Sequence, residues 1–323
     1  MKILIADKLS TSAVEKLMNG GHDVVSRPDS KGETLLAALS EVQPTALIVR
    51  STNVPAEAMD QSPNLELIVR AGAGFDNIDV KGASDRGVFV ANCPGKNAAA
   101  VAELTIGLML SLDRSIPDNV IDAREGIWNK ARYGKASGLK GKTLGVIGLG
   151  NIGLEVVRRA HSFDMHVVGW SRSLTNDKAE SMGIERAETP VDVAKRADVI
   201  TLHVAATPET ESLAGAEFFD AMRPGAFFIN TTRSSVVDED AMISAMEEKS
   251  IRVALDVFSE EPAYKEGEIS HTLATRKDVY LTHHIGASTG QAQEAIAEEA
   301  TRVILTYAAS NTVPNCVNIA EKT

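Results

Sequence analysis

Three segments of this chain carry polar side chains of the kinds that grip carboxylates and move protons. Ile229-Asn-Thr-Thr-Arg233 ends in an arginine, Ala254-Leu-Asp256-Val-Phe-Ser-Glu-Glu261-Pro262 carries carboxylates, and Leu281-Thr-His-His284-Ile-Gly286-Ala holds a histidine pair. An arginine offers a planar, permanently charged fork that holds a carboxylate through two hydrogen bonds and polarises a neighbouring carbonyl. A histidine exchanges a proton near neutral pH. A carboxylate beside it stabilises the imidazolium and raises its pKa. Glu261 is the candidate for that part, and Asp256 is the candidate to hydrogen-bond a nicotinamide carboxamide. Taken singly, each has a plainer reading: surface charge for the arginine, loop solvation for the glutamate, polar filler for the histidines. Together, at successive strand ends downstream of a glycine-rich dinucleotide fingerprint, they supply the parts that hydride transfer to or from a 2-hydroxy acid needs.

Upstream of them, residues 143–164 read TLGVIGLGNIGLEVVRRAHSFD. A short apolar run (Leu144, Val146, Ile147) meets Gly148-x-Gly150-x-x-Gly153, and a helical pattern is expected from Leu154 onward. The first glycine permits a tight turn, the second lets a pyrophosphate approach the backbone, and the third lets helix pack on strand. Free N–H groups at the helix start then face the phosphates. Glycines also serve ordinary turns. The strand before and the helix after are what decide for a dinucleotide.

The elements that must position these groups alternate from end to end, which implies parallel α/β sheets. A first block has strands expected at 2–6, 22–26, 46–50, 67–71 and 88–91, with helical patterns at 12–18 and 34–39. A long, nearly all-apolar helix at 98–112 is expected to be buried on most sides. A second block has strands expected at 143–147, 166–170, 199–204, 226–230, 252–255 and 279–282, and an amphipathic helix at 291–307 follows. After the first strand of the first block, Ala6-Asp7-Lys8-Leu9 lacks glycine, so only the second block looks built for a nucleotide. Ligands of such folds bind at the carboxyl ends of the strands, and a cleft between the two units is the expected site.

The 323 residues suffice for two domains of ordinary size. A net charge of −11 argues against a nucleic-acid partner, which needs clustered lysine and arginine. Arg158 and Arg159, and Lys140 with Lys142, are the nearest approach to such clusters and read as solvated faces. No apolar run approaches the roughly 18 residues of a membrane span, and the chain opens on a strand rather than a targeting segment. Cys93 and Cys316 lack metal-ligand spacing and the density of a secreted scaffold. No metal, no membrane and a reducing cytoplasm are the expectations.

Further motifs carry a resemblance: Val49-Arg50-Ser51-Thr52, Arg70-Ala-Gly-Ala-Gly-Phe-Asp-Asn-Ile-Asp79, Asn92-Cys-Pro-Gly-Lys-Asn97, Val101-Ala-Glu103, Gly126-Ile-Trp-Asn-Lys130 and Gly141-Lys-Thr. With these the chain resembles the D-isomer-specific 2-hydroxyacid dehydrogenases over nearly its whole length, and within them the 3-phosphoglycerate branch. The resemblance implies two doubly wound parallel-sheet domains. One is a flavodoxin-like substrate-binding domain of residues 1–97 plus 288–323, the other a Rossmann cofactor domain of residues 98–287. It implies catalysis by Arg233, Glu261 and His284, and closure of the domains about hinges near Asn97 and Ala287. NAD(P) would be held by Gly148, Gly150, Asn151, Ile152, Gly153, Ser171, Arg172, His203, Val204, Thr231, Thr232, Asp256, Gly286 and Ala287. The substrate acid would lie against Arg50, Ser51, Ala73, Gly74 and Asn97, with Lys130 supplied by the partner of a homodimer built through the cofactor domains. A reductase of glyoxylate or hydroxypyruvate is the alternative within the family, and a dinucleotide-sensing, corepressor-like binding protein the alternative outside enzymes. The chain stops where longer phosphoglycerate enzymes continue into a regulatory domain, so serine feedback through such a domain is not expected.

Three departures from the family pattern matter. His283 stands where proline commonly precedes the catalytic histidine, and the following Ile-Gly-Ala registers His284 with the motif. Thr52 stands where some members place a second arginine, which weakens a phosphate site. After the strand expected at 166–170, Ser171-Arg172-Ser173 replaces the acidic residue that binds both ribose hydroxyls of NAD. Removing that carboxylate relieves repulsion of a 2′-phosphate and leaves a guanidinium to pair with it, so NADP(H) is expected to be favoured.

Overall fold

Two parallel sheets form in the computed structural model, which describes residues 1–262 and 266–318. The chain divides into two units, Met1–Asn97 with Ser288–Thr323, and Ala98–Ala287. In the first unit, β1 (Lys2–Ile5), β2 (Asp23–Ser26), β3 (Ala46–Val49), β4 (Leu67–Arg70) and β5 (Phe89–Ala91) are ordered β2-β1-β3-β4-β5. This is the flavodoxin-like order, with its reversal between β1 and β3. All four residues of β3 are buried, as befits a central parallel strand covered on both faces. Helix Glu33–Val42 covers one face, with Leu35 and Leu39 against Leu4, Leu47 and Ile68. The other face is covered by Leu17 of helix Thr11–Asn19 and by a helix from far along the chain. Ile296, Val303, Ile304 and Tyr307 of helix Gly290–Ser310 pack with Ile3, Ile5, Ile48, Leu67 and Val69. The edge of β5 is closed by the segment after that helix, where Val317 N–H donates to the Val90 carbonyl and the Asn318 side chain bonds both Val90 N–H and Val88 C=O. Covering an edge in this way removes a template for unwanted strand pairing.

The second unit contains β6 (Thr143–Ile147), β7 (His166–Trp170), β8 (Glu185–Arg186), β9 (Val199–Leu202), β10 (Phe227–Asn230), β11 (Arg252–Leu255) and β12 (Val279–Leu281). Their order is β12-β11-β10-β9-β6-β7-β8, with the chain reversing between β6 and β9 in Rossmann fashion. On one face, helices Ala98–Arg114 and Asn151–His161 bring Ala102, Ile106 and Met109 together with Val156, Val157 and Ala160. On the other, Phe218, Phe219 and Phe228 meet edge to face at 5.1–6.1 Å, an arrangement aromatic quadrupoles favour. Among the described residues no helix is long and apolar enough to cross a membrane.

Several expectations are corrected. The helix after the glycine turn starts at Asn151 rather than Leu154, because Gly153 already sits within its first turn. Strands expected to reach Arg50 and Val204 stop at Val49 and Leu202. At the first, the Arg50 N–H donates to the Asp7 carboxylate instead of continuing a ladder (2.6 Å). β8 is only two residues long, too short to display alternation. The long apolar helix extends to Arg114 and is buried except along a stripe that includes Ala99, Glu103 and Gly107. Arg159 is not a solvated charge: its guanidinium bridges Glu155 and Glu103, tying the two helices together.

Candidate active site

The glycine turn has the shape that a dinucleotide needs. Gly148 has φ +96°, and a side chain there would stand 2.4 Å from the His203 carbonyl oxygen. A Cβ on Gly153 would stand 2.0 Å from the Gly148 carbonyl oxygen, so both positions exclude any larger residue. Gly150 differs: no heavy atom lies within 4 Å of where its Cβ would be. The backbone is thus bare at the mouth of helix Asn151–His161, whose N-terminus has no side-chain cap. Uncapped N–H groups of Asn151, Ile152 and Gly153 and the positive helix end suit a pyrophosphate, so the residues present fit the expected cofactor.

The remaining cofactor candidates surround the carboxyl ends of the same sheet. Ser171 and the exposed Arg172 follow β7, and Leu174 N–H closes the turn on the Ser171 carbonyl. Arg172 lies near enough to Glu209 to help the Thr207 hydroxyl hold that carboxylate below its ordinary pKa. His203 and Val204 follow β9. Burial pushes the His203 imidazole down to about 3, so it stays neutral, with Nε2 on the Thr201 hydroxyl (3.1 Å) and Nδ1 unpaired. The hydroxyls of Thr231 and Thr232 turn inward, to Thr105 (3.3 Å) and to Asn230 (2.8 Å).

Arg233 stands just past β10, and its loop is shaped by Asn230. The Asn230 amide donates to the Arg233 carbonyl (2.8 Å) while its Oδ1 accepts from Thr232 N–H (3.0 Å). The Arg233 guanidinium donates to the Thr232 carbonyl (2.7 Å).

His284 follows β12. Its Nδ1 lies 2.8 Å from Glu261 Oε2, and Glu261 Oε1 accepts the Phe258 N–H at 3.2 Å. The bond to Glu261 raises the His284 pKa above its ordinary value, with help from the Asp256 charge and against burial and Arg233. His284 itself has φ +51°, a left-handed backbone that costs a non-glycine residue energy and must be held by its surroundings. Asp256 holds it. The Asp256 carbonyl accepts His284 N–H (3.0 Å), and its buried carboxylate accepts Thr282 Oγ1 (2.6 Å), Ile285 N–H (2.9 Å) and Gly286 N–H (2.8 Å). Both Asp256 oxygens thus accept bonds from within the chain. Gly286, with Ala287 after it, closes this loop, and a Cβ at Gly286 would press on Asp256 at 3.1 Å.

The first unit gathers its own polar set at the ends of β1, β3 and β4. Asp7 accepts from the N–H groups of Arg50 (2.6 Å), Ser51 (3.1 Å) and Thr52 (3.1 Å), and from the Ser51 hydroxyl (3.1 Å). Burial alone would raise the Asp7 pKa, but these donors outweigh it and hold the carboxyl below its usual range. Arg50 lines a cavity of about 210 Å³ with Lys8, Ser10, Gln293 and Glu294. Ser51, by contrast, spends both N–H and hydroxyl on Asp7. In the Ala73-Gly74 loop, the Ala73 carbonyl accepts from the Asn92 amide (2.7 Å). Gly72, with φ +154°, lies under the Arg70 guanidinium, where a Cβ would collide at 1.5 Å. Asn97 keeps a buried Oδ1 without a hydrogen-bond partner. Lys130 opens the short helix Lys130–Tyr133 in the second unit and is exposed. Asp7, Asn92, Asn230 and the anchoring role of Asp256 escape sequence reasoning, because each acts on backbone groups that only folding brings near. For Asp7 a signal existed: an acidic residue at the first strand's end, where a glycine was absent.

A family model described as D-isomer specific 2-hydroxyacid dehydrogenase, NAD binding domain, matches residues 106–286. The D-3-phosphoglycerate dehydrogenase of Methanocaldococcus jannaschii is 40% identical across 100% of this chain and 61% of its own length. The chain thus spans about three fifths of that relative. The glyoxylate reductase of Thermococcus litoralis is 37% identical over 88% of this chain and 86% of its own. Among solved structures, the NADPH-dependent glyoxylate/hydroxypyruvate reductase of Sinorhizobium meliloti, in complex with NADP and malonate, superposes with a TM-score of 0.84 at 26% identity, covering 99% of this chain and 97% of that one.

Proposed function

Because the chain belongs to the D-isomer-specific 2-hydroxyacid dehydrogenase family, we propose that it interconverts 3-phosphoglycerate and 3-phosphohydroxypyruvate with a nicotinamide dinucleotide. The observation that carries the reading is the Glu261–His284 pair at 2.8 Å, in the unit that also holds Arg233 and the glycine turn. When bound, the nicotinamide gives or takes the hydride. Gly148 makes the tight turn and Gly153 the close helix–strand packing, Gly150 leaves room for the dinucleotide's pyrophosphate, and Asn151 and Ile152 present N–H groups to it. Arg233 holds the substrate carboxylate and polarises the 2-oxo group. His284, protonated through Nε2, donates to the forming hydroxyl in reduction and takes the proton back in oxidation. Glu261 on Nδ1 fixes the ring's tautomer and favours the imidazolium. Arg50, with Lys8 beside it in the cavity, is the group we assign to the phosphate, and Ala73, Gly74 and Asn97 those for the rest of the acid.

We assign NADPH as the favoured cofactor, since no carboxylate stands at Ser171 and Arg172 is exposed beside it. The same turn supports reduction of glyoxylate or hydroxypyruvate as the second reading. A homodimer is proposed from the arm Ile116–Lys130. Helix Ile116–Arg124 buries none of its own residues, and Ile121 (51%), Ile127 (49%) and Trp128 (87%) stand exposed. Such a patch calls for a partner, and a second copy would present Lys130 from the same arm.

The test is an initial-rate panel of 3-phosphohydroxypyruvate, hydroxypyruvate and glyoxylate, each with NADH and NADPH. The expected outcome is a higher kcat/KM for the phosphorylated acid by tenfold or more. A preference for glyoxylate or hydroxypyruvate would establish the reductase reading. Dinucleotide binding without turnover of any acid would leave a sensing protein.

A further inference from the structure

Three side chains outside the reactive set meet behind the turn that carries Glu261. Glu239 follows the Arg233 segment in the chain, Ser259 lies within the Glu261 segment, and His271 precedes the His284 segment. Glu239 opens helix Glu239–Lys249, the first α-helix after Arg233. Ser259 lies in the Glu261 turn itself. His271 precedes the 3-10 turn Thr272–Thr275, which leads into β12 and so to His284. The Glu239 carboxylate accepts the Ser259 N–H on one oxygen and the Ser259 hydroxyl on the other (2.6 Å). His271 Nε2 stands 3.4 Å from that hydroxyl and 3.9 Å from the Glu239 carboxylate. Its Nδ1 accepts the Leu273 N–H at 3.2 Å, which leaves Nε2 to carry the proton and donate toward Ser259. The ring also rests edge-on against Phe258 at 5.0 Å. The cluster is largely withdrawn from water, with side-chain exposures of 17% for Glu239 and 10% for His271.

We propose that Glu239, with Ser259 and His271, is a positioning cluster that keeps the Glu261 carboxylate on His284 Nδ1. The inference rests on the reading of His284 as the proton-transfer group. The turn from Phe258 to Glu261 is closed by the bond from Phe258 N–H to Glu261 Oε1 and passes through Glu260 at φ +53°. Among the described residues that bond ties the turn to itself, and the Glu261–His284 pair ties it to the loop after β12. Glu239 supplies a further tie through two bonds to a single residue, from the first α-helix after Arg233, and His271 adds one from the strand side. A hydrogen bond weakens steeply as donor and acceptor separate or tilt, so freeing the turn would loosen the 2.8 Å pair. The charged groups that bear on His284 are Glu261, Asp256 and Arg233. Glu239 acts on it through Glu261.

The test is an NMR titration of the His284 imidazole in the substrate-free full-length chain, with its resonance assigned through the Glu261→Gln and His284→Gln variants. In Glu239→Ala the His284 pKa is expected to fall by about 0.5 or more, in the same direction as in Glu261→Gln. Turnover of 3-phosphohydroxypyruvate should fall about tenfold in kcat, while the dinucleotide Kd changes less than about twofold. Glu239→Gln, which keeps an acceptor for the Ser259 N–H, should recover most of the loss. A pKa in Glu239→Ala equal to that of the wild type overturns the inference. Should Glu239→Ala not fold, Ser259→Ala carries the same expectation in smaller measure, and an unmoved His284 there is equally decisive. If Glu261→Gln leaves the pKa in place as well, the reading of the Glu261–His284 pair fails with it. If only the Glu239 and Ser259 variants do, the positioning cluster alone falls.

Discussion

At His284 two demands meet on one residue. In the proposed reaction the ring must be protonated to act as an acid, and the backbone adopts a conformation that few residues tolerate (φ +51°). Glu261 answers the first and Asp256 the second. The sign of the first is testable. A pKa raised by Glu261 keeps His284 protonated to higher pH, so reduction persists further into the alkaline range and falls as pH rises through that pKa. Glu261→Gln removes the carboxylate, and the fall should move to lower pH. For oxidation, which needs the neutral ring, the rise should move to lower pH by the same amount. The check is kcat/KM against pH in both directions for wild type and variant. Asp256→Asn should act differently. An asparagine has one acceptor oxygen for donors now shared between two, and leaves a buried N–H facing another. A loss of roughly 1–3 kcal/mol in unfolding free energy is expected from that mismatch, measurable by urea denaturation.

At the scale of elements, the glycine turn separates two effects that a single motif conceals. Gly153→Ala would force a methyl against a backbone oxygen 2.0 Å away. Its cost should be in folding, about 1–3 kcal/mol as for other overpacked sites. Gly150→Ala meets open space and should melt within a few degrees of wild type while weakening dinucleotide binding about tenfold or more, since the methyl occupies the approach to the pyrophosphate. Thermal melts and a dinucleotide titration of the two variants distinguish them. The strand–turn–helix itself was readable from sequence because its signal is local: an apolar run, three glycines, a periodic helix. Strand ends were less so. Whether a strand includes Arg50 depends on where Asp7 lies, and no window around Arg50 contains Asp7. β8 carries too few residues to announce itself. Glu239 and Ser259 look like ordinary surface residues until the chain between them folds back. What the sequence showed was the chemistry of side chains already at strand ends, and what it hid was the set of groups holding those ends in place.

At the scale of the molecule, the arm around Trp128 makes a prediction about assembly. Ile121→Asp, in a helix that buries none of its own residues, should cost the folded chain little and should convert a dimer to a monomer in analytical ultracentrifugation. A charge placed in an apolar interface is desolvated without a partner. Because Lys130 lies on the same arm, the monomer should also show a raised KM for the phosphorylated acid if a second copy supplies that cation.

The first unit is stitched from both ends of the chain, and this bears on the order in which the protein is made. Ribosomes deliver residues in sequence, and domains tend to fold as they emerge. By the time Asn97 is out, every strand of the first sheet exists, yet of the helices that cover the face formed by Ile3, Ile5, Ile48, Leu67 and Val69 only Thr11–Asn19, with Leu17 and Val14, is present. The rest of the cover, Ile296 to Tyr307, is synthesised after the entire second unit. The contiguous second unit can therefore complete its core while the first waits with apolar surface in water, a nascent-chain state that chaperones recognise and that slow translation would prolong.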